Sequence, residues 1–232
     1  FRHDRGPGTA TPPFLAGNPS RIFTTAGSGN TICYNAATGA PIWQSNIDPT
    51  APWTVDPYIL TGSMTVEDTR LYAVGHNFTD TMGTLVCADA LTGELEWQVV
   101  APISDSPPLV IGNVVYVWGG GFAGTGDALL WAFHRNTGDE IFKATIVSFG
   151  YLFRNYMAAA NDIIYAIGDN NLYIIDPANG NVLDQINGSY TGGVTVDEVG
   201  GVYAHTASFG GPSGLQTFGV TVPIGLTSFI LE

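Results

Sequence analysis

The chain reads as an all-β protein, a β-propeller of about five four-stranded antiparallel blades, and three observations predict it. A short phrase returns five times: an apolar strand, a turn ending in Gly, then a bulky residue four positions on. A second strand with an aromatic at a fixed place returns upstream of each phrase. No stretch carries a convincing helical period. The turn glycines Gly39, Gly93, Gly138, Gly180 and Gly225 lie 54, 45, 42 and 45 residues apart. A period near 45 residues is one supersecondary unit repeated, and four strands per unit at that period describe a propeller blade.

The first phrase, TICYNAATGAPIW, ends at Trp43, and the second, LVCADALTGELEW, ends at Trp97. LLWAFHRNTGDEIF ends at Phe142. NLYIIDPANGNVLD has Asp184 in the bulky position, and LQTFGVTVPIGLTSF keeps only its Gly and Phe229. Asp89 and Asp176, with Asn35 in the first unit, stand four residues before their glycines. A short carboxylate or amide there caps backbone N–H groups, and Gly supplies positive φ. His134 and Thr221 take that place in units three and five, so His134 reads as a turn residue.

The upstream strands RIFTTAG, RLYAVG, VVYVWG, IIYAIG and GVYAHT carry Phe23, Tyr72, Tyr116, Tyr165 and Tyr203 at one position, read as packing between units. A shorter strand precedes each and joins it through a tight turn of the two-residue hairpin kind. The blades are expected over 9–46, 58–100, 104–146, 149–187 and 190–232, in a single domain 9–232 behind a tail at 1–8. Packing of blade five on blade one and a shared closing blade both stay open.

The net charge of −13, with Lys143 the single lysine, repels phosphate backbones and argues against nucleic-acid binding. No run of 18 apolar residues offers a membrane span. The chain opens at Phe1 without Met, which reads as a removed signal segment or a fragment. Asn77-Phe-Thr and Asn187-Gly-Ser are glycosylation sequons and favour a secreted or cell-surface address. Cys33 and Cys87 each stand six residues before their turn Gly. Equivalent positions in consecutive units point the same way around a ring, so both are expected as buried free thiols rather than a disulfide.

The phrase resembles the PQQ-type quinoprotein repeat, roughly Leu-x-Ala-x-Asp-x-x-Thr-Gly-x-x-x-Trp. Leu85, Asp89, Thr92, Gly93 and Trp97 fall in register with it, and Thr38, Gly39 and Trp43 keep its core. Ser106-Pro107 and Thr11-Pro12 stand where a family blade often opens. The resemblance implies a propeller. Its enzymes are alcohol and sugar dehydrogenases that hold PQQ and usually Ca²⁺ on an eight-bladed axis, several with an adjacent Cys-Cys pair. Other members are non-enzymatic docking platforms, among them an outer-membrane assembly lipoprotein. Here the cysteines lie 54 residues apart and the cations are few, so no cofactor residue carries over and no cofactor is expected.

Long loops at 45–57, 75–84, 119–128 and 206–214 are where a propeller site would lie. They offer Trp53, His76, Phe78, Asp80, Phe122 and Asp127 as partner-binding candidates, with Tyr151 and Phe209 as further aromatic anchors. Asp56, Asp105, Asp127 and Asp169 are the carboxylates a hydrolase reading would need to converge. His3, His76, His134 and His205 lack metal-ligand spacing, and no Gly-x-Ser-x-Gly elbow is present. The expectation is a non-enzymatic secreted or surface scaffold that binds a protein partner or assembles with itself. A quinoprotein-like oxidoreductase and a carbohydrate-binding or glycan-hydrolysing propeller are the alternatives.

Overall fold

The computed structural model describes residues 14–15, 21–25, 30–45, 62–75, 82–104, 106–120, 127–147, 157–197, 200–207, 213–220 and 226–230. Their regular structure is entirely strand. The first sheet comprises β1 (Phe14–Leu15), β2 (Arg21–Thr25), β3 (Thr31–Asn35) and β4 (Pro41–Gln44). The second comprises β5 (Gly62–Glu67), β6 (Arg70–Gly75), β7 (Gly83–Asp89) and β8 (Leu95–Ala101). The third holds β9 (Leu109–Ile111), β10 (Val114–Gly120), β11 (Ala128–His134) and β12 (Glu140–Val147). The fourth holds β13 (Met157–Ala160), β14 (Ile163–Gly168), β15 (Asn171–Ile175) and β16 (Val182–Ile186). The fifth holds β17 (Tyr190–Val196), β18 (Val202–Ala207), β19 (Ser213–Val220) and β20 (Leu226–Ile230). In each sheet the strands lie side by side in chain order, the meander of a propeller blade.

The hairpins explain the order. Glu67 pairs with Arg70, Ile111 with Val114, and Ala160 with Ile163, so two residues turn the chain each time. Positive φ at Asp68, Gly112, Asn161 and Asp162 gives those turns the twist that antiparallel strands need. Asp169 and Asn170 do the same between β14 and β15. The fifth sheet differs from the two-residue expectation. Val196 pairs with Val202, and Asp197 closes a wider loop by accepting from the Gly201 amide at 2.7 Å.

The chain divides into two compact units, 1–117 with 132–141, and 118–131 with 142–232. In the first, Phe23, Cys33, Trp43, Met64, Leu71 and Val86 form one buried cluster, with Phe23 and Trp43 rings tilted at 6.0 Å. In the second, Tyr165, Ile167, Leu172, Tyr190, Val202 and Phe218 pack together, and Tyr190 faces Phe218 at 6.2 Å. Each such side chain contributes about 1.5–3 kcal/mol on burial.

Four of the five repeated aromatics are buried as expected: Phe23, Tyr72, Tyr116 and Tyr165. Tyr203 is not. It is half-buried, and its hydroxyl donates to Asp197 Oδ2 of the wider fifth-sheet loop at 2.7 Å.

Candidate functional site

The turn is capped the same way in the first, second and fourth copies. Asn35 Oδ1 accepts from the amides of Ala37 and Thr38 at 2.9 and 3.0 Å, and Asp89 Oδ1 from those of Leu91 and Thr92 at 2.8 and 2.7 Å. Asp176 Oδ1 accepts from the Ala178 amide at 2.9 Å. The glycine amide then donates back to the carbonyl four residues earlier, at 2.8 to 2.9 Å in the turns of Gly39, Gly93, Gly138 and Gly180. Their φ values run from 73° to 78°, the left-handed region that Gly enters at no steric cost. His134 supplies only its backbone to its turn, as the sequence suggests.

The threonine has a role the sequence did not disclose. Thr38, Thr92 and Thr137 each accept, through Oγ1, from the amide two residues on, at 3.2 to 3.3 Å. In the fourth copy Asn179 Oδ1 does this for Asn181 at 2.8 Å. That is why Asn replaces Thr there without loss of the turn.

Trp43, Trp97 and Phe142 each dock on the next turn. Trp43 Nε1 donates to the Ala90 carbonyl at 3.3 Å, and Trp97 Nε1 to the Arg135 carbonyl at 3.1 Å, two equivalent places one repeat apart. A Cβ added to Gly138 would lie 2.7 Å from Trp97 Cε3, and one added to Gly180 would lie 2.8 Å from Phe142 Cε2. The glycine is therefore required twice, for its φ and for the ring that covers it. Beneath the indoles sit the cysteines: Cys33 pairs across strands with Trp43, and Cys87 with Trp97. Both are buried and free, as their equivalence implies.

The same seam carries an ionic clamp. Arg21 and Arg70 open equivalent strands and reach equivalent turn positions: Arg21 Nη1 donates to the Leu91 carbonyl at 2.9 Å, and Arg70 Nη1 to Asn136 Oδ1. Arg70 Nε also binds Glu96 Oε2 at 2.7 Å. Arg135 runs the other way, from Nη2 to Asp68 Oδ2 at 2.7 Å and from Nε to the Tyr72 hydroxyl at 3.0 Å. Asp68, Arg70, Glu96, Arg135 and Asn136, with Thr69 and Asn113, line a polar cleft of about 240 Å³ at the β5–β6, β9–β10 and β11–β12 turns.

The clamp is a positioning device. The Tyr72 ring is fully buried, and burial pushes its hydroxyl up to about 12, with Arg135 the charge-bearing partner that opposes the shift. Replacing Arg135 by Met is expected to cost about 1–3 kcal/mol in urea unfolding, because a buried hydroxyl loses its charged hydrogen-bond partner. Replacing Asp68 by Asn should cost under about 1 kcal/mol, since that partner is exposed and screened.

The thiols set an alkaline limit. Burial, then the Glu96 carboxylate, pushes the Cys87 thiol up to about 12, and burial raises Cys33 against the opposing influence of Arg21. Unfolded, Cys87 and Tyr72 ionise near the ordinary values of 9.0 and 10.0 for a free thiol and a free phenol. Between those values and 12 the unfolded state holds fewer protons, so stability present below pH 9 falls as pH rises, by up to about 1.4 kcal/mol per pH unit for each group. Urea midpoints measured from pH 8 to pH 11 should fall, less steeply in Cys87→Ala. A thiol reagent at pH 8 should label neither cysteine in the native chain and both in denaturant.

Of the sequence candidates, Trp53, His76, Asn77, Phe78, Asp80, Phe122 and Gly225 lie outside the described residues, as do Asp56, Asp105, Tyr151, Phe209 and His3. Phe229 lies on β20. Asp127 is half-buried just ahead of β11, Asp169 sits in the β14–β15 turn, and His134 and His205 are exposed. Among the described residues these candidates do not converge, and no three metal-ligating side chains gather. Asn187 stands exposed after β16. Arg70, Glu96, Arg135 and Asn136 went unread in the sequence. The signal that could have found them is the Arg opening both RIFTT and RLYAVG.

Residues 28–208 match the family described as outer membrane protein assembly factor BamB. In fold the chain is similar to BamB from Moraxella catarrhalis, at 18% identity and a TM-score of 0.66, over 89% of this chain and 57% of that one. It is also similar to the quinohemoprotein alcohol dehydrogenase ADHIIG from Pseudomonas putida HK5 (13% identity, TM-score 0.59, 92% and 47% of the two chains). The quinohemoprotein alcohol dehydrogenase from Comamonas testosteroni gives 13%, 0.60, 86% and 43%. The chain thus spans between 43% and 57% of the length of these three structures. No curated protein sequence matches it. No helix among the described residues is long and apolar enough to cross a membrane.

Proposed function

Because the chain belongs to the BamB-like family of PQQ-type repeat β-propellers, we propose that it is a binding and scaffolding module without enzymatic chemistry of its own. The observation that carries this reading is the use to which the repeat is put. Its recurring Asx, Thr, Gly and Trp positions are spent on turn closure and on docking one repeat to the next. What recurs is rigidity, which suits a platform whose partner contacts vary from loop to loop. The proposal includes a protein partner or further copies of the chain, and a secreted or cell-surface location. The low positive charge and the two sequons support that location.

The dehydrogenases of similar fold raise a quinone reading. A PQQ-type cofactor presents three carboxylates and needs cations free to receive them. The described cations are already engaged. Arg21 serves Leu91, Arg70 serves Glu96 and Asn136, Arg135 serves Asp68 and Tyr72, and Lys143 lies 3.9 Å above the Trp131 ring. Cys33 and Cys87 occupy separate sheets beneath separate indoles. The described residues therefore do not fit the group.

The test is reconstitution of the full chain with PQQ and Ca²⁺, followed by dye reduction with an alcohol or sugar. No quinone-dependent reduction and no change in melting temperature are expected. Quinone-dependent turnover would overturn the scaffold reading. Mass photometry of the same sample reads self-assembly directly.

A further inference from the structure

The fourth sheet ends in a segment unlike its counterparts. Asp184 stands where other repeats place Trp or Phe, and residues 181–185 are all exposed, with Leu183 at 55%. Asn187, Gly188 and Ser189 follow on the exposed connection to β17. Gln185 Nε2 donates to Asn187 Oδ1 at 2.7 Å, so this bond engages the oxygen of the amide and not its nitrogen. Gly188 is dictated by packing: a Cβ there would strike the Tyr190 ring, 2.8 Å from Cζ. The same blade holds a contrasting amide. Asn179 Nδ2 donates to Asp176 Oδ2 at 2.9 Å while its Oδ1 caps the Asn181 amide, so both of its ends are committed to the turn.

From this geometry we propose that Asn187 Nδ2 is an acceptor for an N-linked glycan, an inference that rests on the secreted or cell-surface reading. The donor class is an oligosaccharide joined to a polyprenyl pyrophosphate. The bond from the sugar C1 to the phosphate oxygen breaks, a bond from C1 to Asn187 Nδ2 forms, Nδ2 gives up one proton, and the polyprenyl pyrophosphate leaves. Ser189, two residues on and exposed, supplies the hydroxyl that the transfer requires of an Asn-x-Ser sequon. A glycan there would follow directly on the strand that exposes Val182 and Leu183.

The full chain, carrying Asn77→Gln so that one sequon reports, is expressed behind a cleavable secretion signal in an N-glycosylating host and weighed intact before and after an amidase that releases N-glycans. The expected result is a loss of one glycan's mass, with conversion of Asn187 to Asp. Asn187→Gln and Ser189→Ala should abolish that loss and Ser189→Thr preserve it, with thiol protection of Cys33 and Cys87 unchanged in every variant. A folded chain with bare Asn187, or a glycan that survives Ser189→Ala, would overturn the proposal and leave the scaffold reading standing. A glycosylated Asn187 on a chain that turns over with quinone would do the reverse.

Discussion

Trp97→Ala is expected to lower the unfolding free energy by about 3–5 kcal/mol, among the largest losses available from one side chain of this protein. The indole is 8% exposed, pairs across strands with Cys87, and lies tilted against Tyr72 at 6.1 Å. Its removal opens a cavity over a turn that resists collapse, because the Gly138 amide donates a hydrogen bond to the His134 carbonyl. It also leaves the Arg135 carbonyl without its indole donor. The internal control is already in the sequence. Asp184 takes the equivalent place in the fourth sheet and is exposed, so Asp184→Ala should change stability by no more than about 0.5 kcal/mol. Urea unfolding of the two variants side by side checks the contrast.

Gly138→Ala carries the second large effect, about 2–5 kcal/mol. Part of it is the left-handed backbone, φ 74°, which costs a residue with a Cβ about 1–2 kcal/mol. The rest is overpacking, about 1–3 kcal/mol, since the new methyl meets Trp97 Cε3 at 2.7 Å, Trp97 Cδ2 at 2.9 Å and Val99 Cγ1 at 3.1 Å. Gly112→Ala separates the two parts. Its φ is 57°, yet nothing lies within 4 Å of the added Cβ, so only the backbone cost of about 1–2 kcal/mol should appear. Equal losses at Gly112 and Gly138 would mean that the ring exerts no pressure on the turn.

The turn glycines, their Asx caps and the equivalence of the two buried cysteines were legible in the sequence because each is local or repeats at a fixed offset. A positive φ four residues after Asp89 is a consequence of a few neighbouring atoms. The equivalence of Cys33 and Cys87 needs only the period. The clamp was not legible in the same way. Arg70 and Asn136 are 66 residues apart, and Arg135 and Asp68 are 67 apart, so their meeting depends on how successive repeats stack. Tyr203 shows the opposite failure. The repeat placed it in the core, but the Asp197 loop of the fifth sheet is wider than a two-residue hairpin and binds its hydroxyl. The partner candidates of the long loops were read from residue type alone. The one among them that the structure describes, Asp127, does not line the polar cleft, which forms at turns between strands.

The central claim is that the repeated phrase is a docking code, in which the bulky residue of one repeat and the turn glycine of the next act as a single unit. A double-mutant cycle of Trp97→Ala and Gly138→Ala, read by urea unfolding, tests it most directly. With the indole absent, Gly138→Ala should cost only about the 1–2 kcal/mol expected at Gly112, a coupling of about 1–3 kcal/mol. Strictly additive losses at the two positions would contradict the claim.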